Sequence, residues 1–316
     1  MSKQDVRLTA QVGYRPQFRW SYLLPQYWGI WLGIFALVLL AYLPFHWRDK
    51  FAAKLGILVG RLAKKQRHKA KINLQYCFPQ WSQEKQQKVL DQMFATVGQT
   101  MLGIGEIAIR SKTHLQTRSK ITGLEYLHQA QQQGKNIILF VPHTWSIDAS
   151  GIILHTQNIP MTAMYNPHRN PLVDWLWNWT RQRFGGQMHA RQNGIKPFIQ
   201  AIRQGEMGYY LPDEDYGEQL SVYANFFATY KATLPGLFKM SRVAKAVVIP
   251  MFSCYNAPNG YYEIQLHPPL ELSSDPQQMA NIMNTKIEQL VTPSPEQYVW
   301  ILRLLKTRKN GEDIYS

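Results

Sequence analysis

His143 and Asp148 are the side chains whose types and spacing suggest chemistry, an imidazole and a carboxylate five positions apart. Five residues along one helix would rotate the two side chains roughly 140° apart, because the helical period is about 3.6 residues. The pair can meet only if His143 lies in a turn and Asp148 on the first turn of the next helix. The carboxylate would then hold one imidazole nitrogen and leave the other to take a proton from a hydroxyl. The pair indicates a general base, and its rival interpretations are a capped loop and a buried histidine whose hydrogen bonds are satisfied.

A predicted strand positions His143. Residues 136–141 form a short apolar run that Pro142 ends, as a buried strand before a loop does. Further runs at 161–165, 208–211, 246–254 and 261–266 predict more strands, with helical segments between the first three. Strands that alternate with helices form largely parallel sheets, which bind ligands at the carboxyl ends of their strands. We therefore predict an α/β fold with a largely parallel sheet flanked by helices, and His143 at its carboxyl edge.

Polar loops downstream of the pair supply further candidates. A turn-rich loop at 166–171, a cationic segment at 181–191 and a strand end with three adjacent acids at 209–217 follow in order. Cations and acids on loops around a base favour a pocket for a polyanionic substrate. The candidate side chains are Arg181, Arg183, Arg191, Asp213 and Asp215. The alternative is that these arginines pair with surface acids, which contributes little to stability.

The charge balance restricts the partners. The chain has 316 residues, with 35 Lys and Arg against 20 Asp and Glu, and a formal charge of +15. Such a surface favours phosphates, acidic proteins or an anionic membrane leaflet. Nucleic acid is the rival partner, but we expect none because no zinc-finger spacing, basic zipper or RNA-binding aromatic signature occurs. Cys77 and Cys254 are far apart, which favours a reducing compartment over a disulfide. No His, Cys and Asp set has zinc spacing, so we expect neither a metal nor a cofactor.

Residues 22–44 resemble a membrane span. They contain no charged residue and are long enough to cross about 30 Å of hydrocarbon. The denser basic cluster follows at 48–71, so the positive-inside rule places the C-terminal part in the cytoplasm. We expect a basic tail over 1–21, a transmembrane helix over 22–44 and a cytosol-facing domain over 45–316. Within that domain, 45–120 would be helical and lie on the membrane, and 121–316 would be the α/β core. The rival interpretation of the basic cluster is a solvated helix face.

Several motifs taken together resemble those of a known family. They are His143-Thr-Trp-Ser-Ile-Asp148, Arg183-Phe-Gly-Gly186, His189-Ala-Arg191, Gly194 to Gln200, Tyr209-Tyr-Leu-Pro-Asp-Glu-Asp215, Phe226 to Pro235 and Pro295 to Lys306. In this order, and over residues 26–308, the chain resembles the late acyltransferases of lipid A biosynthesis. The form of the first motif is similar to that of the myristoyltransferases that add the last secondary acyl chain. Many relatives have Gln where this chain has Glu214.

The resemblance implies a fold and an activity. The fold is that of the lysophospholipid acyltransferases, with an N-terminal transmembrane helix. The activity is transfer of a fatty acyl group from acyl carrier protein to a 3-hydroxyacyl chain of a Kdo2-lipid A precursor. A myristoyl group is expected from the branch that the chain most resembles. The implied location is the bacterial inner membrane, with a single span and the catalytic domain on the cytoplasmic side.

The resemblance also implies roles for individual residues. His143 would be the base and Asp148 the acid that orients it. The substrate-binding candidates are Arg181, Arg183, Arg191, Asp213, Asp215 and Lys231. Because a guanidinium group makes two-donor contacts, Arg183 and Arg191 are expected at a phosphate or at the oxyanion. The two aspartates would hold those arginines and shape the acceptor pocket.

Two other functions stay open. The same fold would serve an acyltransferase that acts on a lysophospholipid or on glycerol phosphate, and the loops after the histidine discriminate between these acceptors. The chain would otherwise be a non-enzymatic basic protein of the membrane surface. A His143 variant that keeps its function would indicate this last alternative.

Overall fold

The computed structural model describes residues 13–15 and 17–316, and the first part of these is helical. Two 3-10 turns, Trp20–Leu23 and Pro25–Tyr27, precede the helices α1 Trp28–Leu40, α2 Phe45–Leu62, α3 Lys64–Cys77, α4 Gln83–Ile109 and α5 Lys112–Thr117. The Ser82 hydroxyl caps α4 by accepting a hydrogen bond from the Lys85 N–H. Helices α2 and α4 pack closely because a glycine lies at their contact. A Cβ atom at Gly98 would lie 2.1 Å from the Ala52 carbonyl oxygen.

The remainder of the chain builds the sheet and its covering helices. The strands are β1 Ser119–Thr122, β2 Asn136–Phe140, β3 Met161–Tyr165, β4 Gln187–Ala190, β5 Met207–Tyr210, β6 Val222–Phe226, β7 Thr229–Thr233, β8 Ala246–Asn256 and β9 Tyr261–Leu266. The helices are α6 Leu124–Gln132, α7 Ile147–Thr156, α8 Pro171–Arg181, α9 Lys196–Arg203, α10 Leu237–Ala244 and α11 Pro276–Val291. Short 3-10 turns occur at Arg191–Asn193, Glu218–Leu220 and Pro295–Gln297.

Seven strands form the main sheet, in the order β1-β9-β8-β2-β5-β3-β4. All neighbours are parallel except β8 and β9, which are antiparallel. Strands β6 and β7 form a separate antiparallel pair. The molecule is therefore a mixed α/β protein with a largely parallel sheet and flanking helices.

The sheet separates two apolar cores. Along β2, Ile138 and Phe140 pack into one core, while Ile137, Leu139 and the following Val141 pack into the other. All five side chains are buried. Successive side chains of a strand point to opposite faces, so an uninterrupted apolar run is what a strand covered on both faces requires.

The predicted transmembrane helix over residues 22–44 is wrong. The 3-10 turn at Pro25–Tyr27 delays the helix, and α1 has 13 residues. At about 1.5 Å per residue it rises roughly 20 Å, against about 30 Å of hydrocarbon. Within residues 13–15 and 17–316, no helix has both the length and the apolar content that a membrane span needs. Most of the predicted basic tail, residues 1–12 and 16, lies outside the described residues.

Candidate active site

His143 faces Asp213 at the carboxyl edge of the sheet. Strands β2 and β5 are parallel neighbours, and their last residues, Phe140 and Tyr210, are in register. His143 and Asp213 each follow three residues later, so the two chains leave the sheet side by side. One carboxylate oxygen of Asp213 accepts a hydrogen bond of 2.7 Å from the His143 backbone N–H, and the other contacts His143 Nδ1.

The electrostatics of this pair favour a fixed imidazole. Asp213 is fully buried, and the His143 side chain is 12% exposed. Burial opposes a positive charge on the ring, but the Asp213 carboxylate outweighs it and raises the pKa of His143 above 6.5. Burial likewise opposes the ionised carboxyl, yet contact with His143 lowers the pKa of Asp213. An ionised Asp213 makes Nδ1 a donor and leaves Nε2 available for proton transfer.

Asp148 does not orient His143 as the sequence spacing had indicated. It lies in the first turn of α7, where we expected it, but its carboxylate accepts hydrogen bonds from Arg181, at 2.7 Å from Nε and 3.2 Å from Nη2. Arg181 is the last residue of α8 and offers two donors to this carboxylate. Because Asp213 already engages Nδ1, the imidazole has no need of Asp148.

Arg191 reaches the site through Glu214. Its guanidinium makes a two-donor contact with the Glu214 carboxylate, in which Nη2 lies 2.9 Å from Oε1. The same Oε1 lies 3.8 Å from His143 Nε2. The expectation that Asp213 or Asp215 would hold Arg191 is therefore not met. Glu214, which was not among the predicted site residues, holds it instead.

Arg183 and Asp215 are engaged elsewhere. Arg183 donates to the carbonyl oxygens of Arg110, at 2.6 Å, and Ile109, at 2.9 Å, which the end of α4 leaves without helical partners. Asp215 accepts hydrogen bonds of 2.7 Å from both the backbone N–H and the hydroxyl of Thr307. These contacts do not support a phosphate site at Arg183 or an arginine partner for Asp215. Arg183 caps the C-terminal end of α4, and Asp215 binds Thr307 in the segment that follows α11.

The segment that follows α11, called the C-terminal segment, binds the backbone around His143. The Val299 N–H donates to the His143 carbonyl oxygen at 3.0 Å, and the Trp145 N–H donates to the Gln297 carbonyl oxygen at 3.1 Å.

Lys231, on β7, is fully buried, and its ammonium forms no hydrogen bond with the described residues. The expected substrate-binding candidate Lys231 therefore lies inside the protein, not at a surface that a substrate would reach.

Two cavities flank the end of β5. The larger, about 540 Å³, is mostly apolar; its lining includes Arg191 and the apolar side chains of Met164, Phe198, Tyr210, Leu211, Leu234 and Met240. The smaller, about 90 Å³, has Asp148 and Arg181 in its wall. Both touch Met164, Tyr209 and Leu211. A mostly apolar space with an arginine in its lining can receive a hydrocarbon chain that carries a polar or anionic head.

Sequence reasoning missed Asp213 as the partner of His143, although a signal was present. Phe140-Val-Pro-His143 and Tyr210-Leu-Pro-Asp213 share one pattern, an aromatic residue, an aliphatic residue, proline and a titratable side chain. In each case the proline ends a buried strand, and the next residue emerges at the same edge. Two matching strand ends would have identified the pair if β2 and β5 had been known to be neighbours.

Comparison with known proteins identifies the family. A family model described as "Bacterial lipid A biosynthesis acyltransferase" matches residues 15–307. The chain is 67% identical to a "Lipid A biosynthesis acyltransferase" of Haemophilus influenzae, over 100% of this chain and 99% of the relative. It is 44% identical to the "Lipid A biosynthesis myristoyltransferase" of Escherichia coli strain K12, over 95% of this chain and 93% of the relative. It is 32% identical to the lauroyltransferase of the same strain, over 94% of this chain and 97% of the relative. The chain therefore belongs to the bacterial lipid A biosynthesis acyltransferases and is an acyltransferase.

Proposed function

We propose that this enzyme transfers a fatty acyl group from acyl carrier protein to the 3-hydroxyl of an acyl chain on a Kdo-bearing lipid A precursor. The observation that carries the proposal is the His143 and Asp213 pair at the carboxyl edge. Glu214, near His143 Nε2, binds Arg191, which lines a mostly apolar cavity of about 540 Å³. The family supplies the lipid A precursor as the substrate class. The net charge of +15 supports an acidic carrier protein as donor and an anionic glycolipid as acceptor.

The geometry supports a general-base reaction. His143 Nε2 removes the proton of the acceptor hydroxyl as that oxygen attacks the thioester carbonyl carbon. Asp213 stabilises the imidazolium that forms, as a buried carboxylate does in related arrangements. The tetrahedral intermediate then collapses, the carbon–sulfur bond breaks, and His143 returns the proton to the leaving thiolate. Arg191 is our candidate for contact with the oxyanion or a phosphate, because its guanidinium lies at the cavity and beside Glu214.

A myristoyl group is our choice for the transferred chain. Identity to the myristoyltransferase exceeds identity to the lauroyltransferase by a clear margin, 44% against 32%. The cavity lining is mostly hydrocarbon, as a saturated chain requires. The depth of this cavity would limit the chain length that is accepted.

We also propose that the protein works at the surface of the inner membrane, on its cytoplasmic side. Large apolar side chains of α1 and α2 point outward, among them Leu32 and Leu62, which are 70% and 73% exposed. Basic residues of α2 and α3 accompany this face, including Lys54, Lys65 and Lys69. Apolar insertion together with basic residues binds a helix along an anionic leaflet. We expect the protein to co-sediment with anionic vesicles and much less with zwitterionic ones. Failure to bind anionic vesicles would contradict the proposal.

An acyl-transfer assay tests the proposed activity. Purified protein is given lauroyl-, myristoyl- or palmitoyl-acyl carrier protein together with a Kdo-bearing precursor, and the product is identified by mass spectrometry. We expect a myristoylated precursor, and no product from His143→Ala, which removes the base. His168→Ala, a histidine for which no site role is proposed, serves as the control and should retain activity. Preferred acylation of a lysophospholipid or of glycerol phosphate would contradict the proposal.

A further inference from the structure

A third cavity, which we call the helix cavity, lies between α1, the C-terminal part of α4 and α8. Its volume is about 560 Å³, within the usual range for ligand pockets of about 300–1,000 Å³. The lining is almost entirely hydrocarbon and includes Leu37 of α1, Ile104 of α4 and Trp177 of α8. A cavity of this size and composition can hold a hydrocarbon chain.

The helix cavity opens to the exterior along α1. Gly33 and Ala36 belong to its lining and are exposed. Their neighbours Leu32 and Phe35 are 70% and 59% exposed, so the opening lies beside the outward apolar face of this helix. This is the face that we propose to lie in the membrane surface. A lipid chain can therefore enter the cavity sideways without crossing water.

Three arginines gather where two of the lining helices end. Ile109 of α4 and Thr180 of α8 line the cavity, and Arg110 and Arg181 are the next residues. Arg183 joins them by donating to the Arg110 carbonyl oxygen at 2.6 Å. Within the part of the chain that the structure describes, only one of these three guanidinium groups, that of Arg181, forms an ion pair with a carboxylate. The cluster keeps an excess of positive charge, which complements a lipid with an anionic head.

The same helix ends connect the cavity to the candidate active site. Arg181 binds the Asp148 carboxylate in the first turn of α7, with 2.7 Å between Nε and the nearer oxygen. Helix α7 begins at Ile147, four residues after His143. The mostly apolar cavity of about 540 Å³ is already assigned to the chain that is transferred. The acceptor is itself a lipid with acyl chains, so it needs an apolar site of its own.

We propose that the helix cavity binds one acyl chain of the acceptor lipid. The inference rests on the proposed function, since it names a subsite for the acceptor of that reaction. It gives α1 a task beyond membrane contact, because this helix forms one wall of the cavity.

Two glycines of α1 provide a matched test. A Cβ atom at Gly33 or at Gly29 would meet no atom outside its own helix within 4 Å, so both positions accept a side chain. Gly33 lines the helix cavity and Gly29 does not. Gly33→Leu therefore obstructs the cavity, and Gly29→Leu is the control. Both changes remove a glycine from the same helix and should favour that helix equally.

Binding of the Kdo-bearing precursor is measured in zwitterionic nanodiscs without any acyl donor. Burial of one methylene group changes affinity about fourfold, so exclusion of two should weaken binding on the order of tenfold. We expect this loss in Gly33→Leu, and a change of less than about twofold in Gly29→Leu. A precursor analogue with shortened acyl chains should bind wild type and both variants alike. Equal losses on both acceptors, or no loss on either, would overturn the proposal.

This measurement separates the inference from the proposed activity, because it requires no turnover. The expected binding pattern in a protein that transfers no acyl group would refute the proposed function alone. Acyl transfer by a Gly33→Leu protein whose precursor binding is unchanged would refute the inference alone.

Photo-crosslinking of the wild-type protein identifies the occupant without any variant. A precursor with a photoreactive group at the end of an acyl chain should label α1, α4 or α8, as mapped by mass spectrometry. Labels confined to other parts of the chain would contradict the proposal. Phosphatidylglycerol with the same group provides the competing source. If it labels these helices and excess precursor does not prevent the labelling, the occupant is a bilayer lipid and the proposal is wrong.

Discussion

At the scale of single residues, the site depends on which acid and which arginine reach the histidine. Asp213 and Arg191 lie there, whereas Asp148 pairs with Arg181 and Arg183 caps α4. Side chains close together in sequence are thus separated by function. Arg183 lies before β4 and Arg191 directly after it, so the strand separates the two arginines.

Substitution of the two arginines should therefore have different effects. Arg183→Gln leaves partly buried carbonyls at the end of α4 without their charged donor, and a loss of about 1–3 kcal/mol of stability is expected with little change in KM. Arg191→Lys keeps the charge but loses the two-donor contact, so we expect a rise in acceptor KM or a fall in kcat of about tenfold with little change in Tm. Thermal unfolding and steady-state kinetics on both variants check this. A kinetic defect confined to Arg183→Gln would reverse the two assignments.

At the scale of elements, sequence patterns located β2, β3, β5, β8 and β9 but not the contacts between them, and they did not predict β1, β4, β6 or β7. The apolar run that ends at Pro142 and the strand that ends before Asp213 were both predicted, because burial on both faces leaves a continuous apolar signal. Their adjacency was not predicted, since strand order depends on how the crossover helices pack. For the same reason, the sequence spacing suggested Asp148 as the partner of His143. The register of β2 with β5 instead brings His143 to Asp213.

The N-terminal segment shows a second limit of sequence reasoning. An uncharged apolar stretch at 22–44 gives the composition of a membrane span, but composition does not show where a helix begins. Pro25 starts a 3-10 turn, and α1 extends only over Trp28–Leu40. A hydropathy window averages over such interruptions, so it registered the apolar content and missed the break.

At the scale of the whole molecule, a buried charge cluster joins the helical part to the sheet. The Glu106 carboxylate of α4 contacts Arg48 of α2 at 2.6 Å and Arg118, just before β1, at 2.8 Å. Tyr255 of β8 lies 3.2 Å from each of these two arginines. The cluster thus connects the helices that carry the exposed apolar face with the sheet that carries the site.

This cluster should make the fold sensitive to acid. Burial opposes ionisation of Glu106, but Arg118 and Arg48 outweigh it and lower its pKa from 4.5 to about 2. A lowered pKa gives stability that is fully present above about pH 4.5 and is lost as the pH falls towards 2. Glu106→Gln should cost about 3–5 kcal/mol at neutral pH and flatten the acid dependence. Urea unfolding at several pH values measures both effects.

A surface pair provides the control for that measurement. Asp91 contacts Arg67 at 2.6 Å, but both side chains are partly exposed. Asp91→Asn should therefore cost about 0–1 kcal/mol. Equal losses in Glu106→Gln and Asp91→Asn would show that the buried cluster does not hold the two parts together.

The pH profile of kcat/KM in Asp213→Asn and Asp148→Asn tests most directly whether Asp213 is the acid that serves His143. We predict that Asp213→Asn lowers kcat/KM by about 10²–10⁴-fold and moves the acidic limb to lower pH, because the carboxylate that raises the pKa of His143 is gone. Asp148→Asn should show a smaller loss with the limb unmoved, since its carboxylate contacts Arg181. A limb that moves in Asp148→Asn and stays in place in Asp213→Asn would contradict the assignment.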